Sequence, residues 1–472
     1  MQSRRYCLIT YSMKSADIKP RKPKKIPKNV IDMVTEVFGG KEIETITPAE
    51  IEPEELTVNP EKSEIFEKIE NTKNHFFITG KAGTGKSHLL KFLKANSKKQ
   101  IVVCAPTGVA ALNVGGQTLH SFFKIPPNFI NPEDVRLSPK VAELLRHVDI
   151  MVIDEVSMVR AEMIDIIDHL LKQAREPFTP FGGVQIVMFG DPFQLPPIVN
   201  SRDLQEYFAK NHGGFHFFNA HVWEDASFET HELKEVFRQK DDRFIEILNR
   251  VRVGDIDDDL LGKLNRRVED YLEDSPAIIL ATTNGKVNFI NSNKLSGINT
   301  KEYLYQAEIS GHLDENQFPA DETLKLKKGA QIMMLRNDPD DRWVNGTLGT
   351  IESVEEKEIK VNINGSIYTV LPVSWDKINY FYNRETKKVE EQIIGKFVQY
   401  PIRLAWAITI HKSQGQTFDQ VIIDLDSGAF TTGQVYVALS RCRSLLGIYL
   451  TRPIGKYDIK VDLSVARFMG KK

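Results

Sequence analysis

Cysteine is scarce in this sequence: three in 472 residues, at Cys7, Cys104 and Cys442. An odd, scattered set builds neither a disulfide framework nor a zinc-ribbon spacing, which fits a reducing cytosol. Long apolar runs are missing too. Stretches such as "IVVCA" and "IMVI" fall far short of the ~20 residues of a membrane helix. The start "MQSRRYCLITYSMKSADIKP" has no apolar core of secretory length. No charge of one sign dominates: 62 Lys and Arg stand against 64 Asp and Glu, a net charge of −2 rather than the basic balance of most nucleic-acid binders. A local basic groove is compatible with that sum, because binding follows where charges sit. The eleven histidines thicken at "HGGFHFFNAHVW" (His212, His216, His221), yet with no cysteine nearby and no helical spacing they read as structural.

What is present is an ordinary globular composition, 41% hydrophobic and 27% charged, in a length that calls for two to four domains. Residues 1–57 read as a flexible segment, basic and then acidic; the tract "KPRKPKKIPK" at 19–28 combines proline with like charge and blocks a packed core. A helix is expected over 60–71. From there apolar runs alternate with helical stretches: "HFFITG", "QIVVCAP", "DIMVIDE" and "VQIVMFGD" read as strands, with "KSHLLKFLKAN" and "MIDIIDHLLKQA" as helices. Uninterrupted apolar strands separated by helices predict a parallel sheet covered on both faces, with ligands at the strands' carboxyl ends. The pattern returns in "AIILATTN", "PIRLAWAITI", "QVIIDL" and "GIYLT". Between the first two of these, residues 300–395 show short strands and turn signals ("NGTLGTI", "KVNINGSIYTV"), a small β-rich insertion expected to form a barrel.

The chemistry sits at the predicted strand tips. "GKAGTGKS" fits G-x-x-x-x-G-K-[ST] between a strand and a helix. Its backbone (Gly80, Ala82, Gly83, Thr84, Gly85) would cradle phosphates at a helix N-terminus. Lys86 would reach the β- and γ-phosphates, and Ser87 would ligate Mg²⁺. "IMVIDEVSM" ends a strand, expected one strand from the P-loop, in Asp154 and Glu155. The first is a magnesium ligand; the second is a base for the attacking water. Capping of the next helix is the plainer alternative. In "GDPFQLPP", Gln194 is a poor acid, base or nucleophile, but its amide can bond a γ-phosphate in one nucleotide state and lose it in the next. We read it as a sensor stiffened by Pro196-Pro197, against the alternative of a simple turn residue. Arg238 in "LKEVFRQ" and Arg441 in "VYVALSRCRS" are candidate γ-phosphate contacts from the second α/β region.

In order along residues 58–455, "GKAGTGKS", "APTGVAALNVGGQTLHSFF", "DEVSM", "GDPFQLPP", "LKEVFRQ", "AITIHKSQGQTFDQV" and "VYVALSRCRS" resemble motifs I, Ia, II, III, IV, V and VI of superfamily 1 helicases. The segment "PFGGVQIVMFGDPFQLPP" is particularly similar to the Pif (petite integration frequency) branch and its RecD-like relatives, superfamily 1B. That resemblance implies an α/β fold of two RecA-like P-loop NTPase domains: 1A over 58–200, and 2A over 201–299 and 396–460. A Src-homology-like β-barrel, 2B, would be inserted at 300–395, with a C-terminal tail at 461–472. It implies Mg²⁺ with ATP in the cleft, Glu155 as base, and Arg238 and Arg441 as arginine fingers. Pro106, Thr107, Gly108, Thr118, His120, His411, Lys412 and Ser413 would line single-stranded or forked DNA, with 124–138 where relatives place a strand-separating wedge. Small and hydroxyl residues at loop tips suit backbone contact without base reading; His411 and Lys412 have structural roles as the alternative. One departure stands out: relatives carry an adenine-reading glutamine ahead of motif I, and here Lys62 or Ser63 occupies its place.

The expected activity is ATP-driven 5′-to-3′ translocation on single-stranded DNA with duplex unwinding, in replication, recombination or repair. The expected protein is a monomer with no membrane association, cytoplasmic at the nucleoid if prokaryotic and nuclear or mitochondrial otherwise. Alternatives are a protein-displacing translocase that unwinds little, an ATP-gated nucleic-acid clamp and, more weakly, an RNA helicase, since the motifs carry no clear 2′-hydroxyl reader.

Overall fold

Four of the apolar runs become adjacent parallel strands. The computed structural model describes residues 59–470 apart from 127, 128, 130, 200, 240, 269–276, 312, 314, 316, 317, 341, 357 and 427. The basic and acidic segment expected at 1–57 therefore lies outside the described residues, as do three positions of the 124–138 segment. Strands β1 (Phe76–Gly80), β2 (Ile101–Ala105), β3 (Gln117–Thr118), β4 (Ile150–Ile153), β5 (Gln185–Phe189) and β6 (Glu229–Leu233) form a parallel sheet in the order β3-β2-β4-β5-β1-β6. Every residue of β1, β4 and β5 is buried, as strands sandwiched between helices require. Helix Pro60–Asn71 starts where expected, its first turn capped by the Asn59 side chain accepting from the Lys62 N–H.

Three expectations change. β5 lies between β1 and β4, so the P-loop strand and the Asp154 strand are not neighbours; on that side the strand beside the P-loop strand runs into Gly190-Asp191. The boundary at residue 200 falls short, because β6 pairs with β1, and Phe208, Phe217 and Val222 belong to the first core. The described part of the expected tail, 461–470, is not loose: helix Leu463–Phe468 docks on that same core, Phe468 stacking on Phe218 at 4.1 Å and touching Phe77 and Trp223.

The second parallel sheet joins β7 (Ile278–Ala281), β18 (Ala407–Thr409), β19 (Val421–Asp424) and β20 (Ile448–Leu450) in the order β18-β7-β19-β20. Its core includes Leu280, Ile408, Ile423, Val437 and Leu439, with Phe244, Leu248 and Val251 of helix Asp242–Val253 packed on it. Between these strands lies the β-rich insertion: β8 (Glu302–Gln306), β9 (Glu308–Gly311), β10 (Thr323–Lys327), β11 (Gln331–Met334), β12 (Leu348–Val354), β13 (Ile359–Ile363), β14 (Ser366–Val370), β15 (Val373–Asn383), β16 (Lys388–Gln399) and β17 (Ile402–Leu404). Among the described residues these pair as three antiparallel sheets, β14-β13-β12-β11-β17, β15-β16-β9 and β10-β8, rather than as one closed ladder. "PIRLAWAITI", expected as one strand, splits: β17 pairs with β11 of the insertion, and two residues later β18 joins the second sheet. The long β15–β16 hairpin reaches the first sheet, where Gln117 Nε2 donates to the Ile378 carbonyl at 2.7 Å and Gln100 Oε1 accepts from the Val389 N–H at 3.0 Å.

Candidate active site

The P-loop is shaped by glycines in backbone conformations that other residues rarely adopt. Gly83 and Gly85 hold φ of +86° and +81°; a Cβ at Gly83 would lie 2.5 Å from Arg238 Cβ, and one at Gly85 2.6 Å from Lys62 Nζ. Gly85 gives helix Lys86–Asn96 no side-chain cap, leaving the helix start as an anion cradle. Lys86 Nζ donates to the Gly80 carbonyl at 2.6 Å and that of Lys81 at 3.2 Å. Burial pushes its pKa down, while Asp191 and Glu155 pull it up.

At the tip of β4 the two acids share a desolvated corner. Burial, then the charge of Glu155, pushes Asp154 up to about 7. Burial also raises Glu155, opposed by Lys86 and Arg441. Glu155 holds a left-handed φ of +48°, a conformation costing about 1–3 kcal/mol that persists only where the surroundings enforce it. Gly190 leaves room for the turn that follows: a side chain there would press within 3.1 Å of the Val156 nitrogen.

Both candidate arginines reach this corner. Arg238 packs on Gly83 and donates to the carbonyls of Ser440 (3.4 Å) and Gly415 (3.3 Å) of the second region. Arg441 is buried and donates to the carbonyls of Val437 (2.9 Å), Ser413 and Gln416 (both 3.3 Å). Burial, then the like charge of Arg238, presses its pKa down to about 9, still cationic at neutral pH. Gln194 is buried in a turn closed by its own N–H donating to the Asp191 carbonyl at 2.9 Å. That turn lies against Gly433, where a Cβ would come within 2.4 Å of the Gln194 carbonyl oxygen. Gly433 caps helix Gln434–Leu439, two residues ahead of Arg441.

Two participants escaped the sequence reading. Arg252 donates to buried Asp191 through Nη2 at 2.8 Å and Nε at 3.2 Å, and lies over the Phe193 ring at 4.3 Å. Tyr436 donates its hydroxyl to Asp191 at 3.2 Å and accepts from the P-loop N–H of Ala82 at 3.0 Å. Burial alone would raise the Asp191 pKa, but Arg252 and Lys86 more than offset it and hold the carboxyl below its usual range. The signal for Arg252 was its spacing: with Phe244 and Leu248 it falls every fourth residue, on the apolar face of its helix. Glycine cradle, uncapped helix, Ser87 at its start and a buried acid across the corner together fit a magnesium nucleotide.

The other expected residues lie outside the nucleotide corner. Thr107 and Thr118 cap short helices, each hydroxyl accepting from an N–H three residues on. Gly108 and Thr118 line a shallow cleft with Lys377 and Ile378 of the hairpin. Pro106 is half-buried just beyond β2, and half-buried His120 has its Nε2 without a partner. His411 stacks near exposed Phe430 at 6.2 Å, beside exposed Lys412. Ser413 departs from expectation: it is fully buried and donates its hydroxyl to the Ile410 carbonyl at 2.7 Å, so it builds the turn that receives Arg441.

A family profile described as PIF1-like helicase matches residues 57–260, and the ATP-dependent DNA helicase Pif1 of Bdellovibrio bacteriovorus is 34% identical over 406 residues, 84% of this chain and 88% of that one. The chain belongs to the Pif1-type helicases of superfamily 1B. It is an ATP-dependent helicase enzyme, and the two parallel sheets are its RecA-like domains. Profiles for the DNA helicase Pif1 2B domain and the UvrD-like helicase C-terminal domain match residues 310–354 and 404–449. Unliganded Pif1 from Bacteroides sp is 39% identical with a TM-score of 0.81, over 88% of this chain and 96% of that one. Bacteroides Pif1 bound to ssDNA, equally identical over the same shares, superposes at 0.64.

Proposed function

We propose that this Pif1-type helicase moves 5′ to 3′ on single-stranded DNA and unwinds duplex or forked DNA in replication, recombination or repair. The observation that carries the reading is the join at Asp191: one carboxylate from the first sheet is held by Arg252 and Tyr436 of the second region, and Tyr436 also holds a P-loop N–H. Nucleotide state and domain position are therefore linked through three side chains. The direction is taken from the family resemblance.

In this reading Gly80–Ser87 and Lys86 bind the phosphates, Glu155 takes the proton of the attacking water, and Arg238 and Arg441 steady the γ-phosphate. Ser87 and Asp154 would hold a magnesium ion, which neutralises phosphate charge when bound. Gln194 passes the loss of the γ-phosphate to Gly433 and the helix behind it. Pro106, Thr107, Gly108, Thr118, His120, His411 and Lys412 follow the DNA backbone. The hairpin β15–β16 lines part of that path at Gly108 and Thr118, so in this reading it moves aside when DNA enters. We keep the expected domains with the first boundary moved beyond Leu233 and helix Leu463–Phe468 assigned to the first core, and a monomer as the working unit.

The test is ATP-dependent unwinding of one duplex carrying either a 5′ or a 3′ single-stranded tail, beside Lys86→Ala. Unwinding with the 5′ tail alone, lost in Lys86→Ala, is the expected result. Unwinding with the 3′ tail alone overturns the direction.

A further inference from the structure

Two of the three histidines read as structural, His212 and His221, converge on one carboxylate, while His216 pairs with Asp462 instead. We infer that Asp165, His212 and His221 form a binding site for a late first-row divalent metal ion, zinc foremost. None of the three takes part in the nucleotide site. His212 Nε2 lies 3.1 Å and His221 Nδ1 3.2 Å from the same Asp165 Oδ2, and the three ligand atoms all lie within 4.8 Å of one another. The two rings stack at 4.4 Å. Around tetrahedral zinc with bonds of about 2.0–2.2 Å, neighbouring ligand atoms stand roughly 3.3 Å apart, so the spacing already suits the ion.

Proton accounting points the same way. His221 Nε2 lies 2.9 Å from the Asn211 carbonyl, which only accepts, so Nε2 carries the hydrogen. That leaves Nδ1 as the ring atom facing Asp165 Oδ2, at 3.2 Å. A ring nitrogen fixed by a backbone carbonyl while the other faces the metal is the usual outer arrangement of a histidine ligand. Asp165 is itself oriented by the backbone N–H groups of His221 (3.2 Å) and Val222 (3.1 Å). Behind His212, its buried Nδ1 has no hydrogen-bond partner, and neither has buried Oε2 of Glu162, one helical turn before Asp165 and within electrostatic reach of the ring. Two imidazoles and a carboxylate, with an exposed side at His221, favour zinc over magnesium or calcium.

The experiment titrates metal-stripped full-length protein with zinc chloride in the absence of nucleotide, by calorimetry and thermal melting. Wild type, His221→Ala, Asp165→Asn and Lys86→Ala are compared, with magnesium chloride as the control ion. Expected are one zinc per chain with a rise in melting temperature, retained in Lys86→Ala, weakened at least ~10-fold in His221→Ala, and not reproduced by magnesium. Absence of stoichiometric zinc binding in the wild type overturns the inference, as does undiminished binding by His221→Ala. Because His221 is exposed, its variant folds even where Asp165→Asn, which disturbs two backbone hydrogen bonds, does not.

Discussion

Breaking the Asp191–Arg252 pair tests the link between the two halves directly. Arg252→Met keeps an aliphatic stem over Phe193 but leaves a fully buried carboxylate with only the Tyr436 hydroxyl and the Phe193 N–H, at 3.2 Å each. Removing one partner of a buried pair costs about 3–5 kcal/mol, mostly the penalty of the charge left behind. Asp191→Asn should cost less, about 2–3 kcal/mol, because Arg252 keeps partly exposed Glu232 at 3.6 Å as a fallback. The double variant removes both charges, so its loss should fall short of the sum of the singles by at least ~1.5 kcal/mol. Stability is read by urea unfolding, and function by basal and DNA-stimulated ATP hydrolysis; each single variant should lose most of the stimulated rate. The charge also sets a pH window. Asp191 is held below its ordinary value, so its contribution is complete above about pH 4 and lost as the pH falls through its lowered pKa. Single variants within ~0.5 kcal/mol of wild type, or a strictly additive double, would refute the reasoning.

Other outcomes follow from single residues. Gln194→Ala should still bind ATP but lose much of its DNA-stimulated hydrolysis and unwinding; normal unwinding per ATP hydrolysed would remove the coupling role. Lys62 Nζ lies against Gly85 and 4.2 Å above the Phe237 ring. A glutamine amide pairs with adenine N6 and N7, whereas a lysine offers donors alone, so Lys62→Gln should raise the preference for ATP over GTP in steady-state hydrolysis. For Asp154, a pKa raised from 3.8 to about 7 means the folded state binds more protons than the unfolded in that range. Stability of the nucleotide-free protein should therefore fall as pH rises from about 4 to about 7. Asp154→Asn should relieve up to about 4 kcal/mol of that at pH 8, measured by denaturant titration.

Much of this architecture could be read from residue order because strands buried on both faces write uninterrupted apolar runs. β1, β4 and β5 are of that kind, and the chemistry at their tips followed. "ETHEL" hid β6, since an edge strand tolerates polar residues, and with it the true extent of the first domain. "PIRLAWAITI" is equally apolar on both sides of the point where it changes sheets, so no pattern marked the division. Pair partners were harder still. Asp191 was visible at its strand tip, but Arg252 and Tyr436 meet it across 61 and 245 positions, which periodicity cannot register. The Asp165 cluster was hidden for the same reason: two histidines nine residues apart gain meaning only when a helix from earlier in the chain brings its carboxylate between them.

The return of helix Leu463–Phe468 to the first core bears on how the chain is made. A ribosome delivers β1 early, yet Phe77 and Phe217 gain their Phe468 neighbour only after the whole second domain and its insertion have emerged. Contacts so distant in sequence carry a large loop-closure cost and form late. The nascent first domain therefore waits with an aromatic face open until helix Leu463–Phe468 arrives, and an open apolar face of that kind favours aggregation.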